Sequence, residues 1–222
     1  MRFPDRIRAG QLLAEKLSSY RNRNDVAVVA LPPGGVPVGY EVAIALNARL
    51  DVLVIRNLGV PENLALVMGA VSADGALVLN SEVIRFLNIR DATIDSVLAT
   101  ESAESYRLNK AYRGDAPRLE IADKVVILVD DGIETASSMR TAMSVLRLRR
   151  PTQIVIAVPI ANASAVHELR AATNDVVACV IPDQFDGVGN WYEDFRQVPD
   201  EAVRDFYQRA RRDRDSQTKD RK

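Results

Sequence analysis

Hydrophobic positions in this chain follow two rhythms. Unbroken apolar runs stand at Val26 to Leu31, Val125 to Val129, Ile154 to Val158 and Val176 to Ile181. Such runs predict strands buried on both faces. Asp51 to Ile55 reads as a further strand. Between these runs the spacing becomes helical. Leu12, Leu13 and Leu17 predict a helix over Gln11 to Tyr20, and another is expected over Val38 to Leu46. Ile94, Leu98, Ala99 and Leu108 mark one side of a long polar helix from Asp91 to Tyr112. Ser138 to Arg149, with Pro151 just beyond, and Ala163 to Ala172 predict two more. Val203, Phe206, Tyr207 and Ala210 share a face of a C-terminal helix over Pro199 to Arg212. Gly69 to Leu79 alternates weakly around Asp74-Gly75, a hairpin signal, and Ser81 is placed to cap a short helix.

Strands alternating with helices predict an α/β fold: a mainly parallel twisted sheet flanked by helices, with the hairpin as an antiparallel addition. No internal repeat or low-complexity linker breaks residues 1–212, so they read as one domain. Residues 213–222 contain no apolar side chain and read as a disordered charged tail. With 47% apolar residues the chain can bury a sizeable core. A formal net charge of −1 gives no reason to expect nucleic acid or an anionic membrane as partner. Cys179, the single cysteine, lies in an apolar strand, which excludes an intrachain disulfide and a Cys-based zinc site. The single histidine, His167, is expected on a helix surface. No apolar run reaches membrane-span length and the N-terminus lacks a signal-peptide core, so a cytoplasmic location is expected.

Ligands of parallel α/β sheets sit outside the carboxyl ends of the strands. Two polar loops fall there: Pro33-Gly34-Gly35 after the first strand and Asp130-Asp131 after the central one. The second loop continues as Gly132, Ile133, Glu134, Thr135, Ala136, Ser137 and Ser138 into a helix. Carboxylates there can accept hydrogen bonds from sugar hydroxyls. Loop N–H groups, the Thr and Ser hydroxyls and the positive helix end can hold a phosphate. A solvated turn, with Thr135 or Ser137 merely capping the helix, accounts for the same residues without a ligand. No Gly-x-Ser-x-Gly elbow is present, so a Ser–His–Asp hydrolase lacks support.

The strand, the two acids and the hydroxyl-rich loop resemble the PRPP-binding loop of the type I phosphoribosyltransferases. Leu31 to Val38, Asp51 to Gly59 and Trp191-Tyr192-Glu193-Asp194-Phe195 are similar to a bacterial branch of that family, and the likeness runs from about Arg2 to about Ala210. The resemblance implies the type I phosphoribosyltransferase-like fold with a small C-terminal hood. It implies Asp130 and Asp131 as the catalytic acids on the ribose hydroxyls, and residues Gly132 to Ser138 as the 5′-phosphate loop. Pro33, Gly34, Gly35 and Arg56 would form the pyrophosphate side. Mg²⁺ is implied as cofactor, held mainly by PRPP and with no direct protein ligand. The expected reaction moves a phosphoribosyl group from PRPP to a nucleobase-like acceptor. The alternative is a regulatory protein that binds PRPP or a nucleotide on the same fold without turnover.

The chain departs from its branch at charged positions. Pro33 stands where arginine is usual, Asn57 where lysine is usual and Ala65 in place of an acid. Glu134 and Ala136 replace a small residue and a glycine. Arg113 is read as a cation at a helix C-terminus capped by Gly114, the alternative being a phosphate ligand. Trp191 and Tyr192 are read as core or subunit anchors rather than as a platform for an acceptor ring. A homo-oligomer is compatible with the sequence.

Overall fold

A computed structural model describes residues 2–61, 63–173 and 175–219. Five parallel strands form the main sheet: β1 (Val26–Ala30), β2 (Arg49–Val52), β6 (Val125–Val129), β7 (Gln153–Ile160) and β8 (Val176–Val180), in the order β2-β1-β6-β7-β8. Every residue of β1 and β6 is buried, as continuous apolar runs demand when helices cover both faces. One apolar layer joins the sheet to α1 (Arg6–Lys16), α2 (Gly35–Leu46) and α7 (Asp200–Lys219), through Leu13, Val38, Leu46 and Val203. The opposite layer packs α5 (Ser137–Arg147) and α6 (Ala163–Arg170) through Met139, Met143, Val166 and Leu169.

The strand order reverses between β1 and β6. After β1 the chain turns outward to β2; after β6 it turns the other way to β7. The crevice outside the carboxyl ends of β1 and β6 is therefore the place where two diverging loops leave room for a ligand.

A second, antiparallel sheet of β3 (Ile55–Val60), β4 (Asn63–Ser72) and β5 (Leu77–Leu79) stands beside this crevice. It carries the expected hairpin turn at Asp74-Gly75, where Gly75 has φ +82°. Leu58, Met68, Val71 and Ile94 pack it against α4 (Asp91–Arg113). The expected strand over Asp51 to Ile55 is in fact split. β2 ends at Val52, Leu53 and Val54 cross over, and Ile55 starts β3 in the other sheet opposite Ser72. Leu53 and Val54 are both buried, so the apolar run continues through the break. Asn80, not Ser81, caps α3 (Ser81–Phe86), its side chain accepting from Val83 N–H.

The C-terminal helix also outruns its expected end. α7 extends to Lys219, so residues 213–219 are helical rather than a disordered tail, while 220–222 lie outside the described residues. Two contacts hold the extension to the end of α2. Tyr40 donates its hydroxyl to Asp213 at 2.8 Å, and Arg214 donates to the Asn47 carbonyl at 3.1 Å. Among the described residues no helix is long and apolar enough to cross a membrane.

Asp51 is 1% exposed and faces Arg113, whose Nη1 lies 2.7 Å from Asp51 Oδ1. Leu119 N–H and Val52 N–H donate to the same carboxylate, and Arg113 Nη2 donates to the Val52 carbonyl. Gly114 caps α4 as expected, with φ +63°, but Arg113 turns inward instead of staying on the helix end. It ties the edge strand β2 to α4. Breaking one side of a buried pair strands the other charge and typically costs about 3–5 kcal/mol. Arg113→Met is expected to lose stability of that order in urea unfolding. The double variant Arg113→Met/Asp51→Asn is expected to recover part of it, because the stranded carboxylate is gone.

Candidate active site

The loops after β1 and β6 meet at the crevice. Gly34 lies so close to Asp131 that a Cβ there would sit 2.1 Å from Asp131 Oδ2. A Cβ on Gly35 would fall 2.8 Å from the Asp130 Cα. Both glycines are thus required by proximity: any side chain would displace the acids. Gly34 itself is in ordinary helical conformation (φ −68°, ψ −34°) and begins α2 without a side-chain cap.

Asp130 and Asp131 face different surroundings although adjacent. Asp130 lines a cavity of about 390 Å³ with Pro33, Arg56, Asn57, Tyr112, Ser138 and Thr141. Burial and the neighbouring Asp131 charge push the Asp130 carboxyl well above the usual carboxylate range. Asp131 is committed elsewhere. Arg6, at the start of α1, sets its Nε 2.8 Å from Asp131 Oδ2, with the two side chains 11% and 15% exposed. The Arg6 guanidinium lies 4.0 Å from the Phe195 ring centroid and donates Nη1 to the Arg196 carbonyl at 2.9 Å. Tyr192, 1% exposed, donates its hydroxyl to the Asp131 carbonyl at 2.6 Å and stacks on Phe195. Phe3 completes the clasp: its N–H donates to the Trp191 carbonyl and its own carbonyl accepts from Glu193 N–H. Tyr192 is accordingly a core anchor, as expected.

The remaining loop splits by function. Gly132 passes close to Val188 and Ile160, and Ile133 is buried and hydrogen-bonded to the end of β7, so neither presents a side chain to the cavity. Glu134 accepts from Val188 N–H at 3.2 Å, an engagement with the 188–191 segment. Ala136 is the N-cap of α5 at φ −70°, a conformation that asks for no glycine, and no side chain caps the helix. The alternative reading of Thr135 or Ser137 as a helix cap therefore does not hold. The hydroxyls of Thr135, Ser137 and Ser138 are exposed and make no hydrogen bond among the described residues. Thr135 and Ser137 open on a second cavity, of about 620 Å³, bounded by β4, β5 and Arg140. Thr141 lines both cavities.

Arg56 lines the first cavity and pairs with Glu101 at 2.8 Å. Arg113 lies beneath the site rather than in it. The side chain of Ala65 is outside the described residues. His167 is exposed, and burial pushes the Cys179 thiol up to about 11, which keeps it protonated and unreactive.

The N-terminal Arg6 and the wall residues Tyr112 and Thr141 escape a reading of the sequence. Thr141 alone had a signal, since it stands four residues after Ser137 and three after Ser138 on one helix face. Nothing near Arg6 in the chain marks it as a partner of Asp131, 125 residues away.

Residues 4–190 match the model of the phosphoribosyl transferase domain. The chain belongs to that family. Two Mycobacterium tuberculosis proteins provisionally named phosphoribosyl transferases are 38% identical over 211 residues, covering 95% of this chain and 47% of theirs. The chain thus spans about half the length of these curated relatives. A crystal structure of a Thermus thermophilus protein is 38% identical with a TM-score of 0.83, covering 93% of this chain and 98% of that one.

The clasp around Asp131 has a measurable consequence. Arg6→Met keeps the packing stem but removes the counter-charge. The variant is expected to be less stable by about 3 kcal/mol, as for other enclosed ion pairs. It should also exchange the amide hydrogens of residues 189–194 at least tenfold faster in hydrogen-exchange mass spectrometry, because their seat on the first helix is gone.

Proposed function

We propose that the crevice binds PRPP with Mg²⁺ and that the chain transfers its phosphoribosyl group to a nucleobase-like acceptor, releasing pyrophosphate. One observation carries this reading: the paired acids and the close-packed glycine loop meet at one crevice, and the uncapped start of α5 lies beside it, with Ser138 on the cavity wall and Thr135 and Ser137 on the adjoining cavity that Thr141 shares.

Each part has a chemical task. Asp130, open to the cavity, accepts hydrogen bonds from the ribose hydroxyls. Thr135, Ser137 and Ser138, with the first N–H groups of α5, receive the 5′-phosphate. As the bond from the anomeric carbon to pyrophosphate breaks, its electron pair leaves with pyrophosphate and positive charge grows on the ribose. Asp130, the acid that faces the cavity, stabilises that charge, and no protein nucleophile is needed. The acceptor then bonds to the anomeric carbon and gives up its proton to solvent. Asp130, the carboxylate that lines the first cavity, suits a cation that keeps most of its waters and takes its other ligands from phosphates. Mg²⁺ bound there would neutralise the leaving pyrophosphate.

A second reading, PRPP or nucleotide binding without turnover, rests on the cation-poor pyrophosphate side. Pro33 and Asn57 bring no charge, and Arg56 is shared with Glu101.

Calorimetric titration with PRPP, with and without Mg²⁺, tests the first reading; Mg²⁺-dependent binding is expected, weakened at least tenfold by Asp130→Asn. Because burial and, after it, the Asp131 charge raise the Asp130 pKa, the ionised acceptor forms only above the usual carboxylate range. Binding should strengthen as pH rises through that point. Asp131→Asn removes the neighbouring like charge and should move the midpoint to lower pH. No PRPP binding at any pH overturns the proposal.

Restoring the missing cations with Pro33→Arg/Asn57→Lys should raise pyrophosphate affinity about tenfold, the worth of one charge-assisted hydrogen bond. Turnover by the double variant alone, with none by the native chain, would favour the second reading.

A further inference from the structure

Behind the active-site crevice lies a separate cavity of about 220 Å³. It shares only the Leu53–Val54 wall with the first. Three arginines from three places in the fold line it: Arg113 at the end of α4, Arg118 in the segment before β6, and Arg149 just beyond α5. The turn between β4 and β5 closes it with Asp74.

The arginines around this cavity are unevenly paired. Arg113 pairs with Asp51, and Arg118 pairs with Asp74, whose other oxygen is bound by Ser72. Arg149 has no ion pair among the described residues; it donates to the Leu119 carbonyl. Burial holds the Arg149 pKa below its ordinary value despite the attraction of Asp51 and Asp74. Arg113 is 8% exposed, yet its Nη1 has no hydrogen-bond acceptor: the contact with Asp51 has the distance of an ion pair but not the direction of a hydrogen bond. Arg149 is thus left, among the described residues, with no carboxylate at ion-pair distance in a half-buried space, and the exposed Glu120 attracts it and Arg118 only from farther off. Such a charge is unfavourable unless an anion joins it.

We propose that this cavity is a binding site for a single phosphate-type oxyanion, separate from the catalytic crevice. Guanidinium forks match the tetrahedral oxygens of phosphate, and the spare Arg113 N–H and the Arg149 charge supply what the protein leaves unmet. The volume excludes an enclosed nucleotide, since pockets for ligands of that size begin near roughly 300 Å³. Asp74 in the wall limits the negative charge the site accepts, which favours one phosphoryl group over a chain of them. Phosphate bound here would brace the crossing from β2 to β3, and that crossing forms one wall of the crevice.

Equilibrium dialysis of the full chain with labelled inorganic phosphate tests this. Two phosphates per chain are expected, one here and one at the Thr135–Ser138 loop. Ser137→Glu places a carboxylate in the loop and should leave one. In that background Arg149→Gln or Arg118→Gln should weaken the remaining site at least tenfold, and Asp74→Asn should tighten it. Competition by phenyl phosphate would identify the end of a larger phosphomonoester as an acceptable ligand; failure to compete would restrict the site to the free anion. Loss of all binding in Ser137→Glu overturns the proposal. So does a remaining site indifferent to both arginine variants, each checked for an unchanged circular dichroism spectrum. A single phosphate kept in Ser137→Glu and lost in Arg149→Gln would uphold this site and overturn the loop assignment instead.

Discussion

The architecture of the site depends on how Asp131 is held. Two adjacent carboxylates at the end of a buried strand repel each other in a medium that screens poorly. Arg6 resolves this by neutralising one of them. Its planar guanidinium pairs with Asp131, donates to the Arg196 carbonyl and lies over the Phe195 ring, a combination that a lysine ammonium does not offer. Tyr192 fixes the Asp131 backbone from the same side, while Gly34 presses against its carboxylate from the other. Asp130 is thereby left as the acid that faces the cavity.

The same clasp joins segments far apart in the chain. Phe3 and Arg6 come from the N-terminus, Asp131 from the centre and Tyr192, Phe195 and Arg196 from the segment before α7. A change at any of these residues reaches the acids through one or two contacts. Placing the site at the reversal of strand order adds the complementary effect, because the loops after β1 and β6 diverge there and leave the crevice open.

Polar interactions also hold the far wall. Asp51 and Arg113 join β2 to α4, and the short crossing at Leu53 and Val54 hands the chain from the parallel sheet to the antiparallel one. An ion pair here is a weaker source of stability than a well-packed apolar contact would be. Arg113 also donates to the Val52 carbonyl at the end of β2, and only Leu53 and Val54 separate that point from β3, which carries Arg56 and Asn57 to the cavity wall.

The sequence by itself determined the parallel α/β layout, because continuous apolar runs and helical spacing are local signals. It also determined the placing of Asp130-Asp131 and Gly34-Gly35 at strand ends. It misjudged the split at Leu53–Val54, since both residues are buried on either side of the break, and the end of α7, whose support comes from Tyr40 in α2 and from Asn47 just beyond it. Only the tertiary structure decided which acid faces the cavity, that Arg6 holds the other, that Arg113 turns inward and that Thr135 and Ser137 leave α5 uncapped. These outcomes depend on contacts between segments far apart in the chain, or on which way a side chain turns, and neither leaves a mark in local spacing.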